Sequence, residues 1–344
     1  MIEHPPSITP RAAAASIASR RRWLRFAAAL GALVLVGIAF LAVNPRTELG
    51  MDTDLRPLAG PEKSLRRIPM EVAYASPDAA LVAFVDVRRV TESAFGRTLV
   101  SLPRLSEGRA SLLAETGIDV STDVDSLMVV AGRSSTRGRP LLIARGRFNP
   151  ASRELLVQKR VAVAEEHANV RIVTHGDIAV AYAAPDLALI GPPAAVRSAI
   201  DIEATRSGIA NHADVMRLMA ARRHDAAWLV ARATSFAERD STRPSVGTSI
   251  QSTEWLVASG DVAGTLRGVV QAEAESDESA RDLRSTTAGL ITLGKLRWRS
   301  NVEIARALDS LNLSLDGKSV FLAFQLSAQL VEEVLVSSPP LPTR

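Results

Sequence analysis

The segment whose residue types and spacing come nearest to known chemistry is Gly289-Leu290-Ile291-Thr292-Leu293-Gly294-Lys295-Leu296. It satisfies the first seven positions of a phosphate-binding loop, in which backbone N–H groups cradle phosphate and a Lys reaches it. The eighth position needs Ser or Thr to hold Mg²⁺, and Leu296 stands there. The segment also reads as the interior of a helix, so no nucleotide site is expected.

Asp119, Asp123 and Asp125 crowd one loop in a manner that invites a calcium reading. A calcium loop starting at Asp119 would need Gly at its sixth position and Glu at its twelfth, which are Val124 and Val130 here. The three carboxylates are expected instead to cap and turn the chain into a strand. His167, His175, His212 and His224 include no pair four apart on a helix, which removes the zinc-protease pattern. There is no Gly-x-Ser-x-Gly elbow and no Ser-x-x-Lys element. The adjacent pairs Glu165-Glu166 and Glu332-Glu333 do not face one another on a helix and read as solvated faces. Trp228, Trp255 and Trp298 are the aromatic residues that would line a ligand groove, but the first two fall in strand patterns that bury them in a core. Arg145 and Arg147 alternate with apolar residues and are expected to face solvent. The chain has no Cys, which excludes disulfides, thiolate nucleophiles and Cys-ligated metal. The expectation is therefore no catalytic residue, no cofactor and no metal ligand.

The elements that position these residues follow from apolar periodicity. Strands are expected at Ala80–Val87, Leu127–Ala131 and Leu141–Phe148. Val170–Thr174 and Ile178–Ala183 pair across His175-Gly176-Asp177, and Leu187–Ile190 extends the sheet. Helices are expected over Val90–Leu102, Leu105–Thr116, Pro150–Glu166 with Asn149 as N-cap, Pro193–Thr205 and His212–Arg222.

The second half replays this order. Asp78-Ala79-Ala80-Leu81-Val82 is echoed by Asp225-Ala226-Ala227-Trp228-Leu229, and Ser126 to Gly132 by Glu254 to Gly260. Leu141 to Phe148 matches Leu266 to Ala274, and the hairpin at 170–183 matches that at 312–325. A helix from Asp277 to Leu296 and a last one from Gln329 to Val336 complete the pattern. Turns this short favour antiparallel pairing over a doubly wound parallel sheet, whose crossovers need more residues. The expected fold is α+β: a duplicated, mainly antiparallel sheet domain with helices on one face, comprising a unit 70–224 and a unit 225–336.

The elements Leu81-Val82-Ala83-Phe84-Val85-Asp86-Val87, then Thr116-Gly117-Ile118-Asp119 before Asp125-Ser126-Leu127, then Ala144-Arg145-Gly146-Arg147-Phe148-Asn149, resemble uncharacterised bacterial exported, membrane-anchored proteins with duplicated α+β units. The resemblance spans about residues 70–336 and implies no assigned activity.

Location comes from residues 26–43, 18 consecutive uncharged and mostly apolar residues. A helix of that size spans a bilayer core at 1.5 Å per residue. Arg20, Arg21, Arg22 and Arg25 precede it, so the basic tail 1–25 is expected to stay in the cytoplasm and the remainder outside. A cleaved signal peptide is the rival reading, but Phe40-Leu41-Ala42-Val43 puts large residues where a cleavage site wants small ones. The paired Arg also resemble a twin-arginine export signal. Residues 44–69, with four Pro and two Gly, read as a linker, and 337–344 as a disordered tail.

Five of the 41 basic residues and one of the 37 acidic ones lie within 1–25, which leaves 36 of each beyond it. The exported part is neutral, and no basic stripe interleaved with aromatics marks a nucleic-acid surface. The partners expected are the bilayer, through the N-terminal helix, and an envelope protein or peptide. The function expected is a non-catalytic, single-pass bacterial membrane protein with an extracytoplasmic binding or scaffold domain. An anchored hydrolase with an unrecognised site and a transmembrane sensor are the alternatives, and a tail of 25 residues is too short to fold as a signalling domain.

Overall fold

The computed structural model describes residues 69–101, 110, 113, 118–132, 140–148, 163–233 and 253–330. The expected membrane span, the linker up to residue 68, most of the helix at 105–116, the stretch 150–162 and the C-terminal residues 331–344 lie outside the described residues. Among the described residues no helix is long and apolar enough to cross a membrane.

Among the described residues, twelve strands form one antiparallel sheet. In chain order they are β1 (Ala79–Asp86), β2 (Val124–Gly132), β3 (Leu141–Gly146), β4 (Val163–His167), β5 (Val170–His175), β6 (Ile178–Ala184), β7 (Leu187–Gly191), β8 (Ala227–Arg232), β9 (Thr253–Val262), β10 (Leu266–Ala274), β11 (Asn312–Asp316) and β12 (Ser319–Leu326). In space they run β11-β12-β10-β9-β8-β1-β2-β3-β7-β6-β5-β4. The two wings meet where β1 pairs β8, with Ala83 opposite Leu229. Phe84 lies opposite Trp228 at this join, their rings stacked with centroids 5.6 Å apart.

Register sorts the side chains between two faces, because directly opposed residues point the same way. Trp228, Phe84, Met128, Ile143 and Leu189 follow one another across the sheet on one face. On the other, Leu322, Val270, Ala258, Leu229, Ala83 and Val129 do the same. Both faces are apolar, and both are covered. A 3₁₀ turn at Met70–Tyr74 and the helices α3 (Pro193–Thr205) and α4 (Ala213–Ala220) pack on the Trp228 face through Val72, Val196, Ile200 and Leu218. The helices α5 (Asp277–Arg297) and α6 (Val302–Asp309) pack on the Leu229 face through Ile291, Leu308 and Ala280. The expectation of helices on one face is therefore corrected. Strands with apolar residues at successive positions, such as Leu187-Ala188-Leu189-Ile190, have two faces to bury and need two layers.

Three further differences concern individual elements. The helix expected over Val90–Leu102 is two helices, α1 (Val87–Glu92) and α2 (Ala94–Ser101), because Ser93 turns extended and its Oγ accepts from Gly96 N at 2.8 Å. Residues 163–166, expected at the end of a helix, belong to strand β4, an edge strand whose polar residues make no apolar alternation. Helix α6 has no counterpart in the sequence reading, although Asn301 caps it by accepting from Ile304 N at 3.1 Å.

Outward from the join, one wing begins β1-β2-β3-β7-β6 and the other runs β8-β9-β10-β12-β11, so each strand of the second finds a counterpart in the same order, while β5 and β4 have none. By sheet position the hairpin at 312–325 corresponds to β6–β7, and not to the hairpin at 170–183. The proposed alignment also needs a one-residue shift. It sets Val82 against Leu229, which lie on opposite faces, whereas the bulge between Ala79 and Leu81 absorbs one residue and leaves Val82 on the face of Trp228 and Val230.

Candidate functional site

Three polar clusters gather at the end of the sheet where β1 stops and β8 begins. The first is enclosed. Glu71, on the 3₁₀ turn, is only 3% exposed and its Oε1 accepts from Ser126 Oγ at 2.8 Å and Arg145 Nε at 3.0 Å. Arg145 also reaches Asp186. Ser126 and Arg145 are cross-strand partners on β2 and β3, so the register of the sheet sets the two donors side by side. Burial works against the charge on Arg145, but Glu71 and then Asp186 outweigh it and hold the guanidinium more firmly protonated. Tyr74 lies nearby, its hydroxyl pKa raised first by burial and then by Glu203. The solvent-facing role expected for Arg145 is thus corrected: the carboxylate that claims it lies far upstream in the sequence. Arg147 is exposed, as expected.

The second cluster surrounds the start of α1. Asp86 caps this helix, its Oδ1 accepting from Arg89 N at 2.9 Å. The Arg89 side chain donates to the His224 carbonyl at 2.8 Å and to Asp261. Asp225 sits beside them, and its carboxyl pKa is raised by burial, against the opposing pull of a Ser259 hydrogen bond and of Arg222. A shallow, open cleft of about 500 Å³ borders the group, lined by Asp86, Arg88, Arg89, Glu92, Ser93 and Val262. Its cations are committed: Arg88 to Asp125, and Arg89 to Asp261. A cleft built this way can admit small polar solutes, and its geometry sets up no nucleophile next to a base.

The third feature is the corner between α5 and α6, where the phosphate-loop lookalike lies. Gly289 to Leu296 occupy continuous helix, so their N–H groups point along the helix and do not converge on an anion. Gly294 is there for packing, since a Cβ would come within 3.2 Å of Leu308 on α6. Lys295 Nζ pairs with Asp309 Oδ1 at 3.0 Å.

The other residues singled out in the sequence are dispersed. Asp119 Oδ1 accepts from Ser121 N at 2.9 Å and Asp123 Oδ2 accepts from Asp119 N at 2.9 Å, which makes a capped turn into β2. His167 lies 2.7 Å from Asp201. His175 is exposed at the β5–β6 turn, His212 precedes α4 without capping it, and His224 Nε2 accepts from Arg223 Nε at 3.1 Å. Glu165 belongs to β4 and accepts from Arg197 Nε at 2.7 Å. Glu332 and Glu333 lie outside the described residues. Trp228 is fully buried, Trp255 carries Arg232 over its ring at 4.6 Å, and Trp298 is exposed at the end of α5. Among the described residues no group of three His, Asp or Glu side chains is placed to hold a metal ion.

No family model matches the chain, and no curated protein does. Among solved structures, three crystal forms of TP0453 are distantly similar to it. Form III aligns with a TM-score of 0.47 at 9% identity over 78% of this chain and 98% of that one. Form I gives 0.46 at 9% over 78% and 96%, and form IV 0.47 at 11% over 78% and 96%.

Proposed function

We propose that the chain is a single-pass membrane protein of the bacterial envelope, whose extracytoplasmic α+β domain is a non-catalytic binding scaffold made of two related units, 70–224 and 225–336. The observation that carries this reading is the way the chain enters its sheet. The apolar span 26–43 and the Pro-rich linker lead into Met70–Tyr74, and this turn is fixed by Glu71 against Ser126 and Arg145. A tether that ended in a loose loop would leave the domain free to tumble. Here Glu71, two residues beyond the linker, is bonded to Ser126 and Arg145 within one wing, which gives the reading a fixed point at which the chain enters the domain.

The partner class this architecture suits is an extended peptide or protein segment. Among the described strands β4 and β11 end the sheet, and an edge strand can accept a further strand by backbone pairing. β4 carries Glu165 and Glu166, which discourage such pairing, whereas β11 (Asn312–Asp316) carries a single charge and exposes Leu315.

Two experiments on the full chain test the reading. A reporter fused after Arg344 is expected to be active only outside the cytoplasm, and a mature N-terminus near residue 44 would overturn the anchor. Photo-crosslinking from a photoreactive side chain at position 314 in intact cells is expected to give a discrete envelope adduct that Leu315→Pro in the same chain removes. An adduct unaffected by the proline would move the binding surface away from β11.

A further inference from the structure

Among the described residues seven large apolar side chains are exposed, and three of them fall within the seven residues that turn α5 into α6. Leu296 is 53% exposed, Trp298 36% and Val302 66%. Cations are interleaved with them: Lys295, Arg297 and Arg299 are all exposed, and no acidic residue occurs between Asp282 and Glu303. Lys295 is shared with Asp309 across the corner, and Glu303 is engaged by Arg306 at 2.7 Å. Arg297 lies over the Trp298 ring at 5.7 Å, which keeps the indole at the surface with its cation beside it. The corner is rigid, because Trp298 N donates to the Gly294 carbonyl and Asn301 N to the Trp298 carbonyl, while Gly294 packs on Leu308.

An exposed Trp flanked by aliphatic and Arg side chains is a combination that a water–lipid boundary favours. The indole and the aliphatic groups enter the acyl boundary and the guanidinium groups remain among phosphates. The position of the corner supports the same occupant. Helix α6 packs through Ile304 and Leu308 on Leu266 and Leu326, which lie at the end of the sheet containing the β9–β10 turn and the start of β8. Glu71, next to the point where the linker joins, bonds to Ser126 and Arg145 at that same end of the strands. Tether and corner therefore approach a bilayer together. We infer that the α5–α6 corner, through Leu296, Trp298 and Val302 with Arg297 and Arg299, docks on an anionic phospholipid surface and lays the domain against the membrane that holds its anchor. The direction of approach rests on the anchored reading above; the lipid preference of the corner does not.

The absence of Cys allows a clean test. Val302→Cys in the full chain carries an environment-sensitive dye, and His175→Cys, at the opposite end of the strands, serves as control. Both are reconstituted into vesicles of phosphatidylcholine alone or with phosphatidylglycerol, some with brominated acyl chains. The dye at position 302 is expected to shift to the blue and be quenched by brominated lipid only in the anionic vesicles, and the dye at 175 to do neither. Arg297→Glu with Arg299→Glu is expected to lower the docking equilibrium constant at least about five-fold for each Arg replaced, with the circular dichroism spectrum unchanged. Equal quenching at 302 and 175, or a dye at 302 that stays in water in every vesicle, would overturn the proposal. So would shielding that requires native envelope vesicles, since that outcome points to a protein partner. Carbonate extraction separates the two readings: a chain removed by carbonate but docked at 302 loses its anchor and keeps its corner, and a carbonate-resistant chain with position 302 in water does the reverse.

Discussion

Arg145 and Lys295 each meet a carboxylate at the same end of the molecule, in surroundings that differ almost completely. Arg145 is bonded to Glu71, which is 3% exposed, and supports it together with Ser126 from the floor of a covered face. Lys295 reaches Asp309 across open surface, where the two side chains remain 42% and 71% exposed. Water can replace either partner of the second pair at little cost. It cannot reach Glu71, so what matters there is the penalty of leaving a buried carboxylate alone, more than the attraction itself. The sequence singled out Lys295 as a candidate for chemistry and assigned Arg145 to solvent; the energetic weights run the other way.

The sharpest way to break this contrast is Arg145→Met, which fills similar space but abandons Glu71. Urea denaturation is expected to show a loss of about 3–5 kcal/mol, and a loss below about 1 kcal/mol would mean that the cluster behaves as a surface pair. Glu71→Gln is milder, because the amide oxygen still accepts from Ser126 while Arg145 retains Asp186. A loss of about 1–3 kcal/mol is expected. Combining it with Arg145→Met should recover part of the larger loss, since the second change removes the stranded charge.

Asp225 sharpens the comparison from a third side, as a half-buried acid disfavoured by its burial. A carboxyl whose pKa is raised on folding stabilises the fold fully below its unfolded pKa, and that contribution is lost as the pH rises through its folded value. The thermal midpoint of Asp225→Asn relative to the parent should therefore rise between acidic and neutral pH. A constant difference across that range would remove burial as the cause. The smallest effect is expected from Lys295→Ala, between zero and about 1 kcal/mol in stability, with no change in nucleotide binding by calorimetry. A nucleotide signal abolished by this substitution would restore the phosphate-loop reading.

How much of this could be read in the sequence depended on whether the deciding contact was local. Pro193–Thr205 matches its expected bounds because Pro at the helix start and an apolar repeat act within one helix. The hairpin at His175-Gly176-Asp177 is marked by its own Gly, which takes φ +62°. Strand β4 escaped because Val-Ala-Glu-Glu-His favours a helix locally, and only its pairing with β5 overrides that preference. The side of each helix escaped for the same reason, since strands buried on both faces carry no alternation to say which face a helix will cover. Arg145 and Glu71 are brought together only by the finished sheet, and no local signal links them. The exposed corner was legible in composition, as Lys-Leu-Arg-Trp-Arg. Its significance needed α6, whose cap at Asn301 was the one available signal.

The pairing of β1 with β8 has a consequence in time. β2 follows β1 closely in the chain, but the other edge of β1, along Leu81 to Val85, has no partner until Ala227 to Ala231 have been made. At 5–20 residues per second that interval lasts roughly 7–30 s. Throughout it, a strand apolar on both sides presents a bare hydrogen-bonding edge, the kind of template on which chains pair wrongly. The join that makes one sheet of two wings is thus also the most exposed step of biogenesis, and substitutions that slow completion of β8 should lower yield more than they lower the stability of the molecules that do fold.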